Sequence, residues 1–217
     1  MAIGNTVIFL ISFLVLSFIL TMSTSWVQME VGTRQSNFNN LGGEVLFEDE
    51  SSKSEPHEVS FHLIGRNGDA LEKHLMESSN PKSPTYGKHL TREEVREMTT
   101  DFEGLRKVEE FLQQLSQQAS EESMGEVTIT KKTDSAISAQ AQIGVWEKAF
   151  NTTFFRVNHT KRDGTTEKIN RARQYFLPEQ LAGHVRMVMG TVQMPTELSR
   201  GPVKIPISKM HMEPAHN

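Results

Sequence analysis

The sequence predicts an α+β fold, a ferredoxin-like antiparallel sheet with helices packed on one face. Three observations carry the prediction. Residues 58–64 alternate: Val59, Phe61 and Leu63 fall on one side and Ser60 and His62 on the other, the period of a half-buried strand. Residues 103–118 place Leu105, Val108, Leu112 and Leu115 on one stripe at helical spacing, with Phe111 beside it. The elements then follow in the order strand, helices, strand, strand, helix, strand, which is the split βαβ arrangement.

Taken in order, residues 26–56 show no sustained period. They are rich in Asn and Gly and run into an acidic patch of Glu44, Glu48, Asp49, Glu50, Glu55 and Glu58, so they read as a flexible, solvated lead segment. After the first strand, Gly65 to Gly68 is a turn. Residues 69–77 form a short helix with Leu71 and Leu75 one turn apart. Residues 80–88 form a stiff, turned loop, because Pro81 and Pro84 restrict themselves and their predecessors and Gly87 permits a turn. Thr91 and Glu94 have the spacing of a capping box at the start of a helix over 91–99. Strands are expected over 126–131, with Val127 and Ile129 facing one way, and over 134–140, with Ile137 and Ala139 inward. A helix over 141–150 places Ile143, Trp146, Ala149 and Phe150 on one face. Residues 152–158 and 165–169 read as strands joined by a turn at Arg162-Asp163-Gly164. Pro178 opens a short helical turn closed by Gly183, and 185–189 is a last apolar strand.

The chain has 217 residues, no cysteine and a formal net charge of -4. Disulfides, thiol catalysis and Cys-ligated metal are therefore excluded. The charge balance, with no Lys/Arg run, gives no footprint for nucleic acid. The first 29 residues carry no charged side chain, and Val7 to Leu20 is an apolar run broken only by Ser12 and Ser17. That run is short for a membrane span, which takes about 20 apolar residues, and it fits the core of a secretory signal peptide. Ser23 and Ser25 supply a small-x-small pattern, so residues 1–25 read as a signal peptide cut near Ser25-Trp26. No Lys or Arg precedes the run, which leaves an uncleaved single-pass anchor as the rival reading. The eight histidines show no metal-ligand spacing, and no cofactor is called for. The carboxylate pairs Glu93/Glu97 and Glu109/Glu110 lie among basic neighbours and read as solvated helix faces.

Ser83-Pro84-Thr85-Tyr86-Gly87-Lys88-His89-Leu90-Thr91, followed by Glu94-Val95, closely resembles the signature of the activation pro-domain of the sedolisin, or serine-carboxyl, peptidases, the family of kumamolisin and tripeptidyl-peptidase I. Trp146 to Phe150 running into Asn151-Thr152-Thr153-Phe154, then Tyr175-Phe176-Leu177-Pro178 and a Val-rich close at Val185 to Gly190, follow in the family's order. The resemblance covers about residues 57–195, leaving 196–217 as an extended, Pro-containing tail. It implies a partner: the catalytic domain of a sedolisin-type peptidase, met in trans or as part of a longer precursor. In the family that domain carries a Glu/Asp/Ser constellation with a Ser-Gly-Thr-Ser-type nucleophile motif. No Gly-Thr-Ser occurs among these residues, so no catalytic residue is assigned.

The resemblance also frames the candidate sites. Tyr86, Gly87 and Lys88 are either a loop that anchors helices or part of the peptidase interface. Family pro-domains are released as pH falls, and histidine is the side chain that charges in that range, so His62, His89 and His184 are candidate acid sensors. Asn151-Thr152-Thr153 and Asn158-His159-Thr160 are N-glycosylation sequons, with Asn158, beside the hairpin, expected to be better exposed. The expected address is the secretory pathway, ending outside the cell or in an acidic, lysosome-like compartment. Three functional readings result: a pro-domain acting as folding assistant or inhibitor, the amino-terminal part of a peptidase precursor, and a membrane-anchored interaction module.

Overall fold

Alternation in one strand sets the architecture. Strand β3 (Pro56–Leu63) turns Val59, Phe61 and Leu63 to one side, and all three are buried. It lies between β5 (Ala136–Gln142) and β9 (Val185–Met189), and β4 (Thr128–Lys132) closes the far edge, giving the order β4-β5-β3-β9. Every pairing is antiparallel. Three helices separate β3 from β4: α1 (Gly68–Ser79), α2 (Arg92–Thr99) and α3 (Phe102–Glu121). Helix α4 (Ile143–Ala149) follows β5, and α5 (Glu179–Ala182) precedes β9. The predicted split α+β sheet is the fold observed. The computed structural model describes residues 25–31, 45–160 and 165–194, so the signal-peptide run, the 162–164 turn and the 196–217 tail lie outside the described residues.

The core forms where the stripes of α3 and α4 meet the apolar side of the sheet. Leu105, Val108, Leu112, Leu115 and Ala119 come from α3, and Ile143, Val145, Trp146 and Ala149 from α4. Phe61 is the hub of an aromatic cluster, with ring centroids 6.2 Å from Phe111, 6.4 Å from Trp146 and 5.8 Å from Phe150. Trp146 and Phe150 stack at 5.5 Å with planes 9° apart, and the Trp146 indole N–H donates to the His57 carbonyl at 2.9 Å. The indole thus buries its apolar body without an unmet donor.

The lead segment requires correction. Residues 26–56 are not featureless: β1 (Trp26–Val31) and β2 (Val45–Glu50) are strands. Strand β1 pairs with β8 (Gln174–Pro178), which sequence reading left without an element, in the register Trp26↔Pro178. Strand β2 pairs with β6 (Phe154–Thr160), which also pairs with β7 (Thr166–Ala172), making a three-stranded sheet in the order β2-β6-β7. Glu48-Asp49-Glu50 is a poor intrinsic strand former. Its strand exists because β6 offers a ready edge more than 100 residues away in sequence.

On the edge strand β4, Val127 is buried just ahead of the strand, and Ile129, paired with the buried Ala139, is 40% exposed because no strand lies beyond it.

Phe61→Ala should lower folding stability by about 3–5 kcal/mol in chemical denaturation, through the cavity it leaves among three other rings. Phe61→Leu should cost clearly less.

Candidate functional site

The side of the four-stranded sheet away from the core is built from small and polar residues. Glu58, Ser60 and His62 of β3 share it with Ala136, Ser138 and Gln140 of β5. His62 sits between Ala136 and Met187, and Ser60 between Ser138 and Met189. Across the other edge, Ser138 faces Lys131 and Gln140 faces Thr128. The Ser138 hydroxyl donates to Ser60 Oγ at 3.0 Å. Helices α3 and α4 spend their buried side chains on the opposite face, so among the described residues no layer lies over this one. It has an apolar margin at Met187 and Met189 and a basic one at Lys131.

The loop before α2 is a second surface. The Ser83 carbonyl accepts from the Tyr86 N–H at 3.1 Å, the Thr85 carbonyl from the Lys88 N–H at 3.0 Å, and the Ser78 carbonyl from the Gly87 N–H at 2.9 Å. Gly87 has φ 75, a left-handed conformation that favours glycine. The predicted capping box is present: Thr91 Oγ1 accepts from the Glu94 N–H at 3.2 Å, and Glu94 Oε2 accepts from the Thr91 N–H at 2.7 Å. The Thr91 N–H, and the Thr91 hydroxyl that donates to the same Glu94 Oε2 at 2.9 Å, hold the Glu94 carboxyl below the usual carboxylate range. With the backbone so tied, the Tyr86 ring is 57% exposed and Lys88 is exposed. Leu75 and Met76 of the neighbouring α1 are also exposed, at 56% and 64%. The loop anchors helices through its backbone and leaves its side chains outward.

The three candidate histidines are not brought together. His62 lies on the uncovered sheet face, and His89 is exposed beside the loop. His184 closes a charged cluster at one corner of the fold. Its Nδ1 donates to Asp101 Oδ2 at 2.6 Å, and its Nε2 accepts from Lys107 at 2.9 Å. A carboxylate can only accept and an ammonium can only donate, so in this arrangement Nδ1 is the donor and Nε2 the acceptor. A second ring proton would point at the Lys107 ammonium. Asp101 is 4% exposed and caps α3 by accepting from the Gly104 N–H at 3.1 Å, while Arg66 pairs with it at 2.8 Å. Burial alone would push the Asp101 carboxyl up, but the His184 and Gly104 hydrogen bonds and the Arg66 charge hold it below the carboxylate range. Gly104 is required there, since an added Cβ would stand 2.6 Å from Asp101 Oδ2.

The family model described as "Pro-kumamolisin, activation domain" matches residues 44–194, more than half of the chain. The chain belongs to this family. No curated protein matches it. The activation-domain match begins just before β2 and reaches the last described residue, so it takes in the second strand of the former lead segment.

Within the activation domain, sequence reading passed over His57. Its ring lies edge-on to Phe154 at 5.2 Å, and its Nε2 donates to the Gly190 carbonyl at 2.8 Å. Burial holds His57 below the usual histidine range, helped by the Arg171 charge and opposed by the Gly190 bond and by Glu55 and Glu58. Its place opposite Ala141, on the core side of β3, was the available signal. The sequons also change rank. Asn158 is half-buried in the central strand β6 and its amide donates to Glu48, whereas Asn151 is exposed. The expectation that Asn158 is better exposed is overturned because β2 covers the outer edge of β6.

Asp101→Ala should destabilise the domain by about 3 kcal/mol in thermal or urea unfolding, since it removes a cap and strands Arg66 and His184. Asp101→Asn should cost less, because an amide oxygen still caps α3.

For His57, the unfolded chain takes up a proton as pH falls through about 6.5, while the folded chain does not. Its contribution is therefore complete above about 6.5 and falls below it, by at most about 1.4 kcal/mol per pH unit. The stability gap between wild type and His57→Gln should narrow from pH 7.5 to pH 5. A gap independent of pH would refute this.

Proposed function

We propose that this activation domain binds the catalytic domain of a sedolisin-type serine peptidase through its uncovered sheet face, assisting folding of that domain, inhibiting it, or both. The observation that carries the reading is membership of the activation-domain family over residues 44–194. The sheet face supports the choice of surface: the core of an interface packs with close shape complementarity, and the rows around Ser60 and Ser138 offer small side chains that let a partner approach the backbone. The same contact serves whether the catalytic domain is supplied in trans or by a longer precursor. The exposed Tyr86 and Lys88 side chains extend the contact area to a second surface.

Acid acts on this contact through two histidines. His62 stands in the middle of the face, so protonation places a charge in the interface. His184 stands between Asp101 and Lys107, so protonation turns an attractive contact into a repulsive one at the corner that Arg66 and Glu103 also share. The apolar run at 7–20 supports a secretory address.

The test is to titrate the chain against a sedolisin-type catalytic domain and follow binding and peptidase activity at neutral and acid pH. Tight binding near neutrality, weakened in acid, is the expected result. Ser138→Arg should weaken binding by about tenfold or more, about 1.4 kcal/mol, without lowering the melting temperature of the free domain. Tyr86→Ala reports separately on the loop. Unchanged affinity in Ser138→Arg would remove the sheet face from the interface.

A further inference from the structure

The two sequons sit in opposite physical situations. Asn158 lies between Leu46 and Lys168 in the middle strand of the three-stranded sheet. Its side-chain N–H donates to Glu48, its side-chain oxygen is buried without a partner, and Lys168 reaches the same Glu48 at 3.5 Å. A sugar on that nitrogen would meet both charged neighbours and the paired strand. Asn151 follows the last residue of α4 and its cap, Phe150, at a left-handed turn with φ 46. It is exposed, and among the described residues no hydrogen bond holds its side-chain amide. The turn is rigid from behind: the Thr152 hydroxyl donates to the Gln174 carbonyl at 2.6 Å, and the Thr152 N–H to the Glu147 carbonyl at 3.0 Å. Asn151 is therefore held outward on a fixed base.

We propose that the folded, secreted protein carries an N-linked glycan on Asn151 and none on Asn158. The inference rests on the secretory address proposed above. The donor is a lipid-pyrophosphate-linked oligosaccharide. The Asn151 amide nitrogen forms a bond to the sugar C1, the C1–O bond to pyrophosphate breaks, the pyrophosphate leaves with the electron pair, and one amide proton is released. Thr153 completes the sequon at the second position after Asn151. Because α4 packs on the covered side of the sheet, a glycan at its C-terminal end leaves the Ser60–Ser138 face free for a partner.

The experiment expresses the full chain, with its own amino terminus, in a eukaryotic secretory host and treats the secreted protein with a peptide N-glycosidase. One glycan is expected, lost in Asn151→Gln and in Thr153→Ala and retained in Asn158→Gln. Thr153→Ala removes the sequon while leaving Asn151 itself in place, so loss in both variants is not a folding artefact. A second arm places the same full chain behind a heterologous secretory leader. Glycosylation at Asn151 in that arm alone upholds the site and overturns the address. Two glycans, a glycan retained in Asn151→Gln, or no glycan in either arm overturns the proposal.

Discussion

A single apolar face on a four-stranded sheet is the constraint on which the rest of this molecule depends. Val59, Phe61, Ile137, Ala139, Val185 and Val188 all turn the same way: β3 and β5 have a period of two, and a register irregularity in β9 brings both Val185 and Val188 to this side, leaving Ser60, His62 and Ser138 on the reverse side with Met187 and Met189 at its margin. Helices must cover the first side, and α3 and α4 do so with stripes that meet at Phe61. The second side needs no cover to be stable. A fold of this kind therefore completes its core while leaving, among the described residues, one sheet face without a helical layer.

The accessory strands extend the core without touching that surface. Tyr175 of β8 is fully buried against Phe150, and its hydroxyl accepts from the Val188 N–H at 2.8 Å, joining the β1–β8 ribbon to strand β9. Burial pushes the Tyr175 phenol well above its ordinary range, so it remains a neutral partner there. At the other end, His57 touches Phe154 of β6 and the Gly190 carbonyl after β9, linking the three-stranded sheet to the four-stranded one.

Polar ties at one corner hold segments that the core does not reach. Helix α1 has few buried residues, and the Arg66 N–H and the Asn67 amide bond to the carbonyls of Thr99 and Met98 instead. Asp101 then joins Arg66, the first turn of α3 and His184 before β9. The Asp101 contacts are charge-assisted, and the Asp101 carboxylate at their centre is buried.

What the sequence by itself determined is the order of the main elements and the inward face of each, because periods of two and 3.6 are local signals written within a few residues. The Thr91–Glu94 cap and the Phe61 and Leu112 stripes were legible for that reason. Tertiary structure alone decided whatever depends on a distant partner. Strands β1 and β2 exist through pairings to Pro178 and His159, which no local pattern encodes. The same β2 pairing buries Asn158, and contacts 133 and 83 residues away in sequence make His57 and His184 what they are. Local periodicity records which way a residue points, but its environment is set by the segment that arrives opposite it.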